Sequence, residues 1–499
     1  MVDGAMGDWL ATRLLIRVNA RARGTLQQQV YGEIRRAILS GVVTPGARLP
    51  SSRALADDLG ISRTTTVLAL EQLLAEGYVV TRRGAGTFVA EDLPDDLPRA
   101  RATDPVSIPK CLPLSRRGTA LSAVLQGARR LGGPPRAFRI GTPGVDLFPV
   151  KLWQRLINRR LRSVTAAQLD YGDAAGLRPL REAIADHVQT ARGTRCSADQ
   201  VVIVAGAQQG LDLICRLVLD PGDQAWLEEP GYPGARHALL GAGTRIVPVR
   251  VDAEGLDVEA GARRAGDARL VYVTPSHQYP LGVPMSLRRR LALLAWARKA
   301  RAWVVEDDYD SEFRYTIRAV PCLHGLDADG RVIYVGSFSK TLFPALRLGF
   351  LIVPTGLQER LVAARLATDQ HPPALDQAVL ADFILEGHFV RHLRRMRTAY
   401  RERLEALADA VERFCCGVLR LRAVRTGLHA IADLNGADAT RVSLEAASRG
   451  IEVAPLAAYF AHRANAANGL ALGFAAVRPE VLRRGVERLA AAIAAARRA

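Results

Sequence analysis

Seven short apolar runs rich in β-branched residues recur between Gln200 and Val353: QVVIVAG, DQAWLEE, RIVPVRV, RLVYVTP, AWVVEDD, RVIYVGS and RLGFLIV. Amphipathic helical stretches separate them. That alternation predicts an α/β body whose mostly parallel sheet is covered on both faces. It begins near FRIGTPGVDLFP, at Phe138, and the body is expected to run over residues 138–499. A large lobe is expected over about 165–360. A smaller, mainly helical α+β lobe with few strands is expected over about 361–499.

Residues 25–91 carry a different pattern. TLQQQVYGEIRRAILSG sets Val30, Ile34, Ile38 and Leu39 on one helical stripe and ends at Gly41. LPSSRALADDLG starts at a serine cap, turns Leu55 and Leu59 inward and stops at Gly60. ISRTTTVLALEQLLAEG starts at Ser62, carries Val67, Leu70 and Leu74 on its stripe and stops at Gly77. YVVTRRGAGTFVA supplies two β runs around a Gly-Ala-Gly turn. Three short helices and a hairpin predict a winged helix-turn-helix.

The first turn of the third helix, Ser62 to Thr65, offers hydroxyls and one guanidinium where a recognition helix meets bases and phosphates. Arg82 and Arg83 flank the hairpin turn, and the same hydroxyls also suit plain helix caps. The stretch PGARLPSSRALADDLGISRTTTVLALEQLLAEGYVVTRRGAGTFVA resembles the DNA-binding domain of GntR-type regulators over nearly its whole length. The resemblance implies DNA contacts from Arg53, Ser62, Arg63, Thr64, Thr65, Arg83 and Gly84, with Arg48 as a further phosphate contact.

A formal net charge of +18 fits a polyanionic partner such as double-stranded DNA. It fits equally an Ala/Arg-rich composition with arginines on solvated helix faces. Lysines stand only at 110, 151, 299 and 340, so arginine supplies 64 of the 68 basic residues. Six cysteines form no C-x-x-C pair, and no metal-ligand spacing appears, so no metal is expected and a reducing cytoplasm is. Residues 1–24 form an N-terminal extension without the apolar core of a signal peptide, and no apolar run approaches the length of a membrane span. Residues 92–137, with EDLPDDLPRARATDPVSIPK and RRLGGPPR, read as a linker with one short helix around Leu121–Arg130.

GSFSKTLFPALRLGF, Gly336 to Phe350, places one of the rare lysines just after a β run. A deprotonated Lys340 can form a Schiff base, which arginine cannot. Ser337, Ser339 and Arg347 beside it offer hydroxyls and a forked cation to a phosphate. Taken alone, the stretch also reads as a surface-loop lysine. AWVVEDDYDSEFRY ends a strand in carboxylates, and there Asp307 points into the ligand crevice of an open α/β sheet. It can hold a pyridinium nitrogen, while Tyr309 can bond a phenolic oxygen of the same ring. A metal site or a helix-cap cluster is the alternative. VVIVAGAQQGLDLI reads as strand, glycine turn and helix, with amides at Gly206, Ala207 and Gln208 available to phosphate. LEEPGYPGAR sets Tyr232 where its ring can stack on a flat cofactor, and LDYGDAAGLRPLREAI supplies Tyr171 at a helix entry.

From about residue 138 onward these motifs together resemble the fold type I aminotransferases. The resemblance implies pyridoxal 5'-phosphate (PLP) bound as a Schiff base on Lys340, with its pyridinium on Asp307. It implies phosphate contacts from Ser337, Ser339, Arg347 and the Gly206–Gln208 turn, and stacking by Tyr232. It also implies that Tyr171 reaches the other subunit's phosphate, hence a homodimer.

Two stretches depart from the enzymes. TPSHQYPLG replaces an Asn-Pro-x-Gly-like stretch and makes His277 the candidate at the ring oxygen, beside Gln278 and Tyr279. GLALGF has Ala471 where the enzymes usually carry the arginine for a substrate carboxylate, which leaves Arg463 or another arginine as a substitute. The order of winged helix, linker and aminotransferase-like domain resembles the MocR branch of GntR regulators. That resemblance implies a transcriptional regulator rather than an enzyme, sensing PLP or an amine or amino acid effector. The alternative is a PLP-dependent aminotransferase with a fused DNA-binding domain.

Overall fold

The computed structural model describes residue 18 and residues 24–94, 113–124, 133–315, 320–462 and 466–498. Most of the N-terminal extension, much of the linker and Arg463 lie outside the described residues. The chain divides into two compact units, residues 1–112 and 113–499.

In the first unit α1 (Leu26–Leu39), α2 (Ser52–Leu59) and α3 (Arg63–Ala75) precede a hairpin of β1 (Val79–Arg82) and β2 (Gly86–Val89). Each helix starts on a hydroxyl cap: Thr25 accepts from Gln28 N, Ser51 from Ala54 N and Ser62 from Thr65 N. Gly60, left-handed at φ 63°, closes α2 and turns the chain into α3. Val30, Ile34, Ile38, Leu49, Leu55, Leu73, Val79 and Val89 form the core.

The inward stripe of α3 differs from the expected Val67, Leu70 and Leu74. Thr66, Ala69 and Leu73 are buried, Leu70 and Val67 are half-buried, and Leu74 is 40% exposed. The Thr66 hydroxyl donates to Ser52 O at 2.8 Å, which pins that face of α3 against α2, and Ala69 leaves room for the approach.

The second unit opens with α4 (Arg116–Val124), which starts earlier than the helix expected at 121–130; residues 125–132 lie outside the described ones. Its sheet is built from β3 (Val201–Val204), β4 (Gln224–Glu229), β5 (Arg245–Asp252), β6 (Gly255–Leu256), β7 (Leu270–Val273), β8 (Trp303–Asp308), β9 (Val332–Ser337) and β10 (Gly349–Ile352). The spatial order is β3-β10-β9-β8-β7-β4-β5-β6. The strands from β9 across to β5 run parallel, while β10 lies antiparallel between β3 and β9. Every residue of β3, β7 and β10 is buried, as runs covered on both faces require.

A second, antiparallel sheet follows, formed by β11 (Leu419–Leu421), β12 (His429–Leu434), β13 (Ala454–Pro455) and β14 (Gly469–Gly473) in the order β11-β12-β14-β13. The segment at Phe138 pairs with Gly473, so the start of this unit belongs spatially with its end. No helix among the described residues is long and apolar enough to cross a membrane.

Candidate functional site

In the first unit, Arg48, Arg53, Ser62, Arg63, Thr64, Arg83 and Gly84 are exposed, and Thr65 is half-buried. Arg53 and Arg63 stand at the starts of α2 and α3, and Arg83 and Gly84 lie in the β1–β2 turn. The Ser62 and Thr65 hydroxyls lie 2.8 Å apart, and Ser62 also caps α3, so much of their capacity is used within the helix. The Arg48 guanidinium lies beside Gly86, where an added Cβ would meet its Nε at 3.1 Å. Arg82, by contrast, is laid over the Phe88 ring at 4.8 Å and paired with Glu91 at 3.6 Å.

In the second unit Asp307, Tyr309, Ser337, Ser339 and Lys340 lie at the carboxyl ends of β8 and β9. Gly336, the last residue before the Ser-x-Ser-Lys turn, must be glycine: an added Cβ would lie 2.2 Å from the Phe350 ring. Three residues beyond β9, Lys340 Nζ donates to Gly141 O at 2.6 Å. Burial lowers the Lys340 pKa, and the Asp310 and Asp307 carboxylates oppose that shift.

Asp307 is buried near the end of β8. Its Oδ2 accepts from the Tyr272 hydroxyl at 2.7 Å, while its Oδ1 is buried and has no partner among the described residues. Burial pushes the carboxyl up to about 7, against the pull of the Tyr272 bond and the Lys340 cation. Asp308, one residue on, is committed elsewhere: its Oδ2 takes Arg192 Nε at 2.7 Å and the Tyr334 hydroxyl at 2.6 Å.

Arg347 is left-handed at φ 52°, and its Nη2 donates to Ala205 O at 2.5 Å. Its guanidinium therefore sits against the Gly206 turn. Gly206, at φ 91°, begins the helix Ala207–Val218 with no side-chain cap, which leaves the positive end of the helix to a ligand. The Gln208 side chain is engaged with Gly234 O at 2.9 Å, so only its amide remains for that role. Ser339 N donates to Ser337 Oγ at 3.2 Å. Tyr232 is half-buried, 6.4 Å from the Tyr272 ring at 27°. Tyr171 is 78% exposed, apart from the cluster, with its ring edge-to-face with His371.

His277 is buried, with Nδ1 3.0 Å from the Tyr309 hydroxyl and 2.9 Å from Asp310 Oδ2. His277, Asp310 and His429 offer ligand atoms within 4.8 Å of one another. His277 Nδ1 is already bonded, and with Asp310 it reads as a hydrogen-bonded support for Tyr309, while His429 Nε2 is held separately by Pro280 O at 2.8 Å. Tyr272, Gly141, Asp310 and His429 were not among the expected site residues. Only Asp310, within EDDYDSEF, carried a signal in its surroundings. Ala471 lies on β14, fully buried.

These parts fit PLP. An orphaned carboxylate oxygen suits a protonated ring nitrogen, the lysine suits an aldehyde, and an uncapped helix end beside a guanidinium suits a phosphate.

Comparisons with known proteins agree. Residues 26–89 match the family "Bacterial regulatory proteins, gntR family", and residues 150–489 match "Aminotransferase class I and II". The chain is 39% identical to the probable rhizopine catabolism regulatory protein MocR of Rhizobium meliloti, over 94% of both chains. It is 33% identical to the pyridoxine biosynthesis transcriptional regulator PdxR of Corynebacterium glutamicum, over 94% of this chain and 96% of that one. Among solved structures, the α-aminoadipate aminotransferase LysN of Thermus thermophilus, complexed with N-(5'-phosphopyridoxyl)-L-leucine, matches with a TM-score of 0.66 at 30% identity. That match covers 75% of this chain and 94% of LysN.

Proposed function

This chain belongs to the MocR type of GntR-family transcriptional regulators, and from that premise we propose that its PLP-binding body serves as a sensor rather than a catalyst. It reports PLP or an amine effector to the winged helix.

When bound, PLP supplies an aldehyde that condenses with primary amines and a ring that draws electrons from them. Lys340 offers the amine, and its lowered pKa enlarges the neutral, nucleophilic fraction. Asp307 Oδ1, buried and without a partner among the described residues, would accept from the ring nitrogen. Arg347, Ser337, Ser339 and the amides from Gly206 to Gln208 take the phosphate. Tyr232 would stack on the ring, and Tyr309, bonded to His277, would donate to the ring oxygen. The exposure of Tyr171 supports a role toward a second copy of the chain, in a homodimer. Arg63 with Thr64, Arg53, and Arg83 with Gly84 contact operator DNA, and Arg48 adds a phosphate.

The observation that carries the sensor reading is Ala471. Where an amino acid's carboxylate would need a guanidinium, the strand presents a methyl group packed with Ile431, Leu456 and Tyr459. Without that charge-assisted fork an amino acid loses its strongest handle, so recognition rests on the amine, or on the cofactor itself.

An effector changes the output only if it binds the two DNA-affinity states unequally. Footprinting on the DNA upstream of the gene, with and without PLP and candidate amines, tests this directly. The footprint is expected to change with one of them, and a footprint that none alters overturns the sensor reading. A second reading, a working aminotransferase, is favoured by the aminotransferase fold and by its enzyme neighbours. Steady turnover of an amino acid with a keto acid would establish it.

A further inference from the structure

Side chains alternate along β8, so Glu306 and Asp308 face away from Asp307. On their side lies a cavity of about 270 Å³ that none of the proposed PLP contacts lines. Arg192, Arg290 and Arg314 border it, together with the hydroxyl-bearing Thr190, Ser276 and Thr426, and no carboxylate is among its described lining residues.

Two of these arginines have their donors committed. Arg192 holds Asp308 at 2.7 Å and Glu312 at 2.8 Å. Arg290 donates to the carbonyls of Met285, Pro275 and Pro321. Arg314 differs. Its Nε donates to Ser311 O at 2.9 Å, but its terminal nitrogens have no hydrogen bond or ion pair among the described residues. The same side chain also borders an adjoining cavity, together with Arg192, Arg397, Glu312 and Ser311. Ser311 Oγ is buried and has no hydrogen-bond partner among the described residues.

A half-buried guanidinium whose terminal nitrogens find no partner among the described residues is a costly arrangement, even with the Asp308 and Glu312 carboxylates in its surroundings. Burial and the Arg192 charge lower its pKa, against the opposing pull of those two carboxylates. An anion offering two oxygens would remove that cost. The rest of the lining, including Pro284, Val320 and Cys322, is apolar. The volume lies at the small end for ligand pockets.

We propose that this cavity is a second ligand site, separate from the PLP site, for a small organic anion. Its carboxylate or phosphate is forked on Arg314, and its short apolar body lies against Pro284, Val320 and Cys322.

The test uses the full-length, PLP-loaded protein reduced with borohydride, so that the cofactor's own phosphate fills its place. Calorimetric titrations with inorganic phosphate and, separately, with butyrate are expected to show one saturable site per chain for at least one probe. Phosphate binding alone identifies a phosphate ester as the ligand class, and butyrate binding alone a carboxylate. Arg314→Ala is expected to weaken that binding about tenfold or more. Ser276→Asp keeps the arginine and puts a negative charge in the cavity, and it is expected to do the same. Absence of saturable binding for both probes overturns the proposal. So does binding that neither substitution weakens.

Discussion

In the first unit the residues proposed to contact DNA stand in solvent: Arg53, Arg63, Arg83 and Gly84 are exposed, while the core is made by α1, α2, α3 and the hairpin. In the second unit the proposed cofactor contacts are largely folded in. Asp307 is buried with one oxygen unpaired among the described residues, and Glu228 and Glu306, buried nearby on the sheet, are likewise pushed up to about 7 by burial. An exposed arginine contributes little to stability until DNA arrives, whereas a buried, half-satisfied carboxylate destabilises the fold until a cofactor satisfies it. Loss of function at the DNA face should therefore leave stability untouched. Changes at the cofactor face should alter stability and ligand binding together.

The largest effect is expected from Lys340→Ala. Borohydride reduction of the PLP-treated wild type should place a pyridoxyl mass on the peptide holding residue 340 and on none holding Lys110, Lys151 or Lys299. The variant should carry no adduct at all. Peptide mass spectrometry reads the result, and an adduct that persists in the variant would break the contrast at its centre.

Asp307→Asn is expected to come next, and it works through pH. The folded-state pKa of about 7 lies above the ordinary 3.8. The group's stability contribution is therefore fully present below the ordinary value and is lost as pH rises through about 7. Each raised unit costs about 1.4 kcal/mol. At pH 8 the apo variant should be more stable than the apo wild type by up to roughly 4 kcal/mol, and at pH 4 about equal to it. Glu228 and Glu306 keep their own slopes in both proteins, so the difference between variant and wild type isolates Asp307. Urea melts at the two pH values measure it. The same variant should hold PLP less tightly.

How much of this contrast was legible in the sequence follows from what each region's chemistry imprints locally. The parallel strands announce themselves because a strand covered on both faces is apolar throughout; VVIV, LVYV and VIYV leave little alternative. The α3 stripe was displaced because hydropathy favours Val67 and Leu74. The choice was made by a threonine hydroxyl reaching Ser52 O, a contact that hydrophobic periodicity does not register. Within the site, Lys340, Asp307 and Arg347 lie in local motifs and were readable. Gly141, 199 residues from Lys340, and Tyr272, on the neighbouring strand from Asp307, join it only through tertiary folding. The short β13, two residues long, gives no periodicity to read.

Arg63→Ala sharpens the other side of the comparison. At the exposed start of α3, its loss should lower operator affinity about 10- to 100-fold, consistent with roughly 1–3 kcal/mol for a base-reading arginine. The melting temperature should stay within about 1 °C, because a surface substitution away from packing moves stability little. Anisotropy titration at fixed salt, paired with a thermal scan, checks both, and a fall in melting temperature comparable to the loss of binding would erase the distinction drawn above.

The smallest effect is expected at Arg48, and it separates two kinds of exposed arginine within the first unit. Its guanidinium rests beside the Gly86 backbone, next to the hairpin rather than at the start of the recognition helix. A contact there reaches phosphate and carries no sequence information. Arg48→Ala should therefore weaken operator and unrelated DNA by the same few-fold factor. The slope of log affinity against log salt should shrink by about 1. Arg63→Ala should instead cost more on the operator than on unrelated DNA. If Arg48→Ala changed the preference between the two DNAs and left the salt slope alone, the hairpin side would be reading bases, and the division between a positioning wing and a reading helix would have to be redrawn.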